Sequence, residues 1–92
     1  ESNPAVQSSD DAVKVTAYEH DGRVLLSVGN YSDTLKHVRL HIDYKQLGLK
    51  KGAYRLKAMP IPTFQQAGEW SLTDAIPVEP RKGWLLLLEA LP

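Results

Sequence analysis

The segment HVRLHIDY, residues 37–44, decides the fold class because apolar and polar residues alternate in it without interruption. Four of its side chains are predicted to face inward: Val38, Leu40, Ile42 and Tyr44. The residues between them are predicted to face solvent: His37, Arg39, His41 and Asp43. This pattern is typical of an antiparallel strand with one buried and one solvated face.

The same period-two pattern continues along the chain in both directions. Upstream, two apolar alternations are joined at residues 20–22, where Asp21-Gly22 is a strong hairpin signal. Downstream, Pro60 and Pro62 end a predicted strand, because proline lacks the N–H group that a ladder needs. The alternating apolar positions are Val13, Val15, Ala17, Val24, Leu26, Val28, Tyr54, Leu56, Ala58, Ile76 and Val78.

These patterns predict an all-β protein, since no segment of helical length carries an apolar stripe with a period of 3.6 residues. We predict a two-sheet antiparallel β-sandwich of immunoglobulin-like or Greek-key type, with about 6–8 short strands, over residues 12–92. A small Greek-key barrel is the alternative architecture. Residues 1–11 are mostly polar and are predicted to form a linker or a disordered lead-in.

Residues 84–89 contain four consecutive leucines, so this strand is apolar on both faces. Leu85 and Leu87 are predicted to point to one side, and Trp84, Leu86 and Leu88 to the other. Only one face of a strand in a two-layer sandwich meets the core, so the second apolar face needs another cover. We therefore predict a domain-docking face that includes Trp84, Leu85 and Leu87.

The composition argues against several classes of function. The 92 residues carry 11 Lys and Arg against 11 Asp and Glu. This balance predicts no nucleic-acid partner and no anionic membrane surface, since both would need a basic excess. No stretch approaches the roughly 20 apolar residues of a membrane-spanning helix. The chain has no cysteine, which excludes disulfides and thiolate metal sites.

No set of residues assembles catalytic or cofactor chemistry. His37 and His41 are four strand residues apart, roughly 13 Å, which is too far for one metal ion. No serine lies in a nucleophile elbow, and the glycines are scattered at turns. We predict no catalytic residue, no cofactor and no metal. Asn30-Tyr31-Ser32 matches the N-glycosylation pattern, which is a frequent chance match.

Aromatic residues in or beside the predicted loops are candidates for sugar binding. An exposed flat ring can stack on the apolar C–H face of a pyranose. Trp70, which has polar neighbours in the sequence, is the best single candidate, and Tyr31 and Phe64 are the others. Packing in a core or an interface is the alternative role for this set.

Three stretches resemble the C-terminal β-sandwich domains that follow the (β/α)8 barrel in many glycoside hydrolases. The α-amylase-like and α-galactosidase-like groups, and bacterial glycosidases with the same layout, are the most similar. Residues 23–33 resemble a family strand that ends in Asn and a small polar loop. Residues 38–49 resemble the next strand with its Leu-Gly turn, and residues 76–88 resemble the closing strand. The loop at residues 60–68 is longer than the family pattern.

The resemblance implies a noncatalytic accessory domain of a larger secreted carbohydrate-active enzyme, which packs on the catalytic barrel of the same chain and stabilises it. The family's catalytic acids lie in the barrel, so none is carried over to this sequence. A secreted, periplasmic or cell-surface location is implied as well. Two alternatives stay open: a carbohydrate-binding module with a polysaccharide partner, and an immunoglobulin-like interaction or adhesion module.

Overall fold

Nine antiparallel strands make up the regular structure of the residues that the computed structural model describes, 5–21, 23–50 and 52–91. The strands are β1 (Val6–Ser8), β2 (Val13–His20), β3 (Arg23–Asn30), β4 (Lys36–Val38), β5 (Leu40–Ile42), β6 (Tyr54–Ala58), β7 (Gly68–Ser71), β8 (Ile76–Val78) and β9 (Gly83–Ala90). No helix occurs in these ranges. The predicted all-β class is confirmed.

Five strands form the larger sheet, in the order β2-β3-β9-β6-β7. β9 lies at its centre and pairs with β3 on one side and with β6 on the other. Leu86 and Leu88 of β9 are buried on one face of this sheet, which we call the inner face. Leu85 and Leu87 are half-buried on the opposite face, which we call the outer face. The predicted two-sided character of this strand is therefore present in the structure.

Two short ladders, β1–β5 and β4–β8, form the second layer over the inner face. β4 and β5 lie in the segment predicted as one strand, and its alternation is confirmed because Val38, Leu40 and Ile42 are buried. The strand is interrupted at Arg39, whose N–H donates to Ser9 Oγ (3.0 Å). The Arg39 carbonyl accepts from Ser9 N–H (3.0 Å). This interruption, together with β1, brings the number of strands to nine.

Tyr44 lies beyond the end of β5, so its predicted place as an inward-facing strand residue is wrong. The strand ends because Asp43 closes a turn, in which its carbonyl accepts from Leu47 N–H (3.2 Å). The Tyr44 ring packs instead against Tyr54 of β6, with the ring centroids 5.0 Å apart. It is half-buried at the edge of the core.

Side chains from both layers meet in a single apolar core, which confirms the predicted β-sandwich. The buried residues are Val6, Val13, Val24, Leu26, Val28, Val38, Leu40, Ile42, Leu47, Leu56, Ala58, Ile76, Val78, Leu86 and Leu88. Leu26 and Leu86 are neighbours across the β3–β9 ladder and are both fully buried. The centre of the core therefore lies between β9 and the second layer.

The N-terminal segment is part of the fold. Residues 6–8 form β1 inside the stretch 1–11 that is predicted to be a linker or a disordered lead-in, while residues 1–4 lie outside the described ranges. Val6 is only 2% exposed and pairs with Ile42 of β5. Val6 is the one apolar residue of β1, and the preceding Ala5 also packs against the core.

Asp10 fixes the turn between β1 and β2. Its Oδ1 accepts a hydrogen bond from Ala12 N–H (2.8 Å), and its Oδ2 lies 3.2 Å from Lys36 Nζ. The backbone hydrogen bond, followed by the Lys36 ammonium, lowers the pKa of Asp10 below its ordinary value. Such a carboxylate contributes stability above its unfolded-state pKa and loses that contribution as the pH falls through its folded-state pKa.

We expect Asp10→Asn to be less stable than the unchanged chain at pH 7, with the difference shrinking between about pH 5 and pH 2 as the wild-type carboxylate is protonated. Asp11→Asn, at the exposed neighbouring position, is the matched control and should keep the wild-type acid dependence. Urea unfolding followed by tryptophan fluorescence across this pH range measures both. An Asp10→Asn difference that stays constant with pH would contradict the role of this carboxylate.

The first residue of β9 has to be glycine. The register places Gly83 opposite Gly29 of β3. A Cβ on Gly83 would overlap the carbonyl oxygen of Val28, a backbone atom that cannot rotate away. At Gly52, by contrast, a Cβ would meet nothing within 4 Å. The close approach of β9 to β3 therefore depends on the missing side chain at position 83.

Gly83→Ala should lower the free energy of unfolding by about 2–3 kcal/mol, because the β3–β9 backbones must move apart. Gly52→Ala should change it by no more than about 0.5 kcal/mol. Chemical denaturation of the two variants beside the unchanged chain measures these values. If both variants were equally stable, the close approach at Gly83 would not be a constraint on the fold.

Candidate functional site

A groove of 1320 Å³ opens at one end of the sandwich. One wall is the loop at residues 60–67, which follows β6, and the other wall comes from residues around the end of β8. The apolar lining includes Leu35, Pro60, Phe64, Pro77, Pro80 and Trp84, and the polar lining includes Gln66, Glu79 and Lys82. We call this feature the end groove.

The side chain of Gln65 holds the loop wall in place. β6 stops at Ala58, which pairs with Leu86, so β6 provides no partner for the next residue of β9, Leu85. Gln65 fills this position: its Oε1 accepts from Leu85 N–H (2.8 Å), and its Nε2 donates to the Leu85 carbonyl (3.1 Å). The same Nε2 donates to the carbonyl of Met59 (2.6 Å). The amide acts as one more peptide unit in the ladder.

The tip of this loop has an unusual backbone conformation. Thr63 has a φ of 63°, a left-handed value that β-branched residues rarely adopt. It lies between Pro62 and Phe64, and the loop is closed by a bridge between Ile61 and Gln65. Backbone strain of this kind persists only where the surroundings enforce it, and it concentrates at functional segments.

Two tryptophans pack edge to face at the end groove, where Trp84 is part of the lining and Trp70 lies behind it. Trp84 of β9 and Trp70 of β7 have ring centroids 4.9 Å apart and planes at 70°, an edge-to-face arrangement. Trp84 Nε1–H donates to the carbonyl of Pro77 (2.7 Å), which ties β9 to β8 of the second layer. Both rings are half-buried. Trp70 also covers the position where Gly68 lacks a side chain.

The three predicted sugar-stacking residues occupy different places. Phe64 lines the end groove and is 53% exposed. Tyr31 is 67% exposed beside Gly29 and is not part of the groove lining, and Trp70 lies behind Trp84. Their role in sugar binding stays a prediction. Sequence reasoning did not place Trp84 in this groove. The available signal was the prolines of the two segments that form its walls, at positions 60 and 62 and at positions 77 and 80.

The three predicted docking residues are divided between the two faces of the larger sheet. Leu85 and Leu87 lie on the outer face, whereas Trp84 lies on the inner side, in the end groove. Leu87 pairs with Leu25 of β3, which in turn pairs with Tyr18 of β2. Tyr18 is 56% exposed, and Leu25 is half-buried. These four residues, Tyr18, Leu25, Leu85 and Leu87, form what we call the outer apolar row.

A charged cluster adjoins the outer apolar row. Arg55 Nε donates to Glu89 Oε1 (2.8 Å), and Arg55 Nη1 donates to Glu69 Oε2 (3.2 Å). The hydrogen bond to Glu89 is the main cause of a raised Arg55 pKa. Glu89, Arg55 and Glu69 lie on three adjacent strands, so the cluster crosses the sheet beside the apolar side chains.

Asn30 holds the second wall of the end groove. It is the one buried polar residue in the described ranges, at 2% exposure. Its Nδ2 donates to the carbonyls of Thr34 and Val78, both at 2.9 Å. Its Oδ1 accepts from Ser32 N–H (2.9 Å) and Ser32 Oγ–H (2.7 Å). With both amide hydrogens used inside the fold, this nitrogen is not presented for glycosylation.

The described ranges contain no group of three or more His, Asp or Glu residues placed to hold a metal ion. They also contain no helix with the length and apolar character that crossing a membrane requires.

Residues 1–89 match the family model described as glycoside hydrolase 123, C-terminal domain. The chain belongs to this family. The resemblance of the sequence to C-terminal accessory domains of glycoside hydrolases is therefore confirmed. Neither a comparison with curated proteins nor one with solved structures found a match. As a glycoside hydrolase 123 C-terminal domain, the chain is one part of a larger enzyme.

Asn30→Asp keeps the shape of the side chain but turns a carboxylate oxygen toward the carbonyls of Thr34 and Val78. We expect the free energy of unfolding at pH 7 to fall by about 3 kcal/mol, because two donated hydrogen bonds are lost and a charge is buried. Asp33→Asn is the control in the same loop. It removes an exposed ion pair with Arg81 (2.8 Å) and should cost less than about 1 kcal/mol. Similar losses in both variants, measured by urea unfolding, would refute the role of Asn30.

Proposed function

We propose that this glycoside hydrolase 123 C-terminal domain is a noncatalytic accessory domain that packs on the catalytic domain of its parent chain and stabilises it. The observation that carries the proposal is the outer apolar row. An outer face in an antiparallel sandwich ordinarily carries polar side chains. Here the central strand, β9, presents two leucines on that face.

The surroundings of the outer apolar row suit a contact within one chain. Leu25, Leu85 and Leu87 are half-buried within the sheet, on the face opposite the buried one that packs against the second layer. The cluster around Arg55 supplies polar groups at the border, as is usual at the rim of an interface. Interfaces between domains of one chain bury about 600–1,500 Å² and are partly polar. Covering this row would gain about 25 cal/mol for each Å² of apolar surface.

The arrangement of carboxylates supports a noncatalytic role. Hydrolysis of a glycoside ordinarily uses two carboxyl groups about 5–10 Å apart on either side of a sugar site. Glu69 and Glu89 come together, but both bind Arg55 on the outer face rather than lining a cleft. In the end groove, Glu79 is exposed and pairs with Lys82. The acids that carry the reaction are accordingly assigned to the catalytic domain of the parent enzyme.

A second candidate function, carbohydrate binding, is favoured by the end groove. The groove brings Phe64 and Trp84 into one lining together with polar side chains. A role on polysaccharide outside the cell also agrees with the proposed secreted, periplasmic or cell-surface location. Docking and sugar binding would use different surfaces, so the two functions are compatible. The immunoglobulin-like adhesion module receives no comparable support from a particular surface.

Leu87→Asp tests the docking proposal in the parent enzyme and in the isolated domain. In the isolated domain we expect a loss of about 1 kcal/mol, since Leu87 contributes only a cross-strand contact on the outer face. In the parent enzyme we expect a loss larger by about 2 kcal/mol, because a charge is then placed in a dehydrated interface. Differential scanning calorimetry of both proteins gives the comparison.

Leu35→Asp is the matched control, because Leu35 is an exposed leucine that lines the end groove instead of the outer face. It should affect the parent enzyme and the isolated domain alike. Equal losses for Leu87→Asp in both proteins would defeat the proposal. A parent-specific loss for Leu35→Asp would instead place the docking surface at the end groove.

A further inference from the structure

We propose that the end groove is a binding site for a neutral oligosaccharide chain, with Phe64 and Trp84 as its main contact surfaces. The proposal rests on the second candidate function and assigns it a site. It replaces the set predicted from the sequence, because Tyr31 and Trp70 do not line this groove. It is independent of docking through the outer apolar row.

The walls of the groove are held in one arrangement before any ligand binds. Gln65 fastens the loop wall to β9, and Asn30 fastens the opposite wall to β8. Prolines at positions 60, 62, 77 and 80 further restrict the backbone. A preorganised site loses little conformational entropy on binding. The strained backbone of Thr63, between Pro62 and Phe64, is maintained in the same wall.

The size and lining of the groove suit a sugar chain. Its volume of 1320 Å³ exceeds the range of about 300–1,000 Å³ that is usual for small-molecule sites, which suits several linked units better than one. Phe64 and Trp84 offer apolar ring surface for the C–H faces of pyranoses. Gln66 and Thr63, in the same lining, can exchange hydrogen bonds with hydroxyl groups.

The charges at the groove favour a neutral ligand. Glu79 and Lys82 are the charged residues of the lining, and Lys82 Nζ lies 3.5 Å from Glu79 Oε1. Their opposite charges cancel, so the groove has no net charge to attract an anionic or a cationic chain. A uronic-acid polymer or a basic peptide therefore gains no electrostatic attraction from this surface.

The edges of the groove do not suit a peptide strand. A peptide that extends a sheet needs unpaired backbone N–H and C=O groups on the receiving strand. At Leu85, where β6 has ended, both groups are already paired with the Gln65 side chain. The loop is likewise closed on itself by the Ile61–Gln65 bridge. The available surface is thus one of rings and side-chain hydrogen bonds.

Isothermal titration calorimetry of the 92-residue chain tests the proposal. The probes are tetrasaccharides of glucose, galactose, mannose and N-acetylhexosamine, with tetragalacturonate as the anionic probe. We expect at least one neutral tetrasaccharide to bind saturably and tetragalacturonate to fail. Phe64→Ala and Phe64→Leu should both raise the Kd about five- to tenfold, because each removes the aromatic ring.

Tyr31→Ala is the matched control, since Tyr31 is an exposed aromatic residue outside the groove; its Kd should stay within about twofold of the unchanged chain. Trp70→Phe leaves Trp84 as the sole tryptophan. When the bound tetrasaccharide is titrated into this variant, the fluorescence emission of Trp84 should shift with the Kd that calorimetry gives. Unfolding curves establish that each variant is folded.

The possible failures are distinguishable. Binding that survives both Phe64 variants but is lost in Tyr31→Ala would overturn the groove assignment and keep carbohydrate binding. Binding of tetragalacturonate alone would overturn the inference of a neutral ligand. No binding of any of the tetrasaccharides, tetragalacturonate included, would overturn both the site and the second candidate function, while leaving the docking proposal untouched.

Discussion

The position of β9 at the centre of the larger sheet is the constraint on which the rest of the structure depends. This strand pairs along both edges, and its entry beside β3 is possible only because residue 83 has no side chain to meet the Val28 carbonyl. Once β9 is placed, its leucines are divided by the pleat. Leu86 and Leu88 complete the core, and Leu85 and Leu87 are left on the outer face. The core and the outer apolar row are therefore consequences of one strand.

The end groove follows from the unequal lengths of β6 and β9. β6 ends opposite Leu86, and Pro60 and Pro62 prevent it from continuing as a hydrogen-bonded strand. The chain must then satisfy the Leu85 backbone in another way, and the amide of Gln65 does so. The loop diverges from the sheet as a result. Trp84 is thereby left half-covered at the base of a groove instead of being sealed into the core.

The fold could be predicted largely from the period of the pattern. In residues 37–44 the alternation identified Val38, Leu40 and Ile42 as buried. A pleated strand that packs on one side places every second side chain in the core, so the apolar positions are the buried ones. The same reasoning missed β1, since Val6 is a single apolar residue whose burial depends on pairing with β5, more than thirty residues away. The interruption at Arg39 was missed for a similar reason: its partner Ser9 comes from the segment predicted to be a linker.

The candidate site was less predictable, because its parts come from separate segments. Phe64 could be selected as an aromatic residue in a loop, but whether it meets Trp84 or Tyr31 depends on how β8 and β9 are placed. A local pattern carries no such information. The leucine run did indicate two faces, yet Trp84 belongs with the inner one, and grouping it with Leu85 and Leu87 combined residues that the pleat separates.

The separation of the two surfaces gives the strongest physical reason for assigning them different partners. The outer apolar row covers the middle of a sheet face, where a flat and extensive contact can form, and a charged cluster borders it. The end groove is concave, neutral and closed to backbone pairing. A domain surface is suited to the first shape, and a narrow chain of sugar rings to the second. An accessory domain that docks through its sheet would thus keep its groove accessible, and binding there would hold the parent enzyme near its substrate without altering the catalytic site.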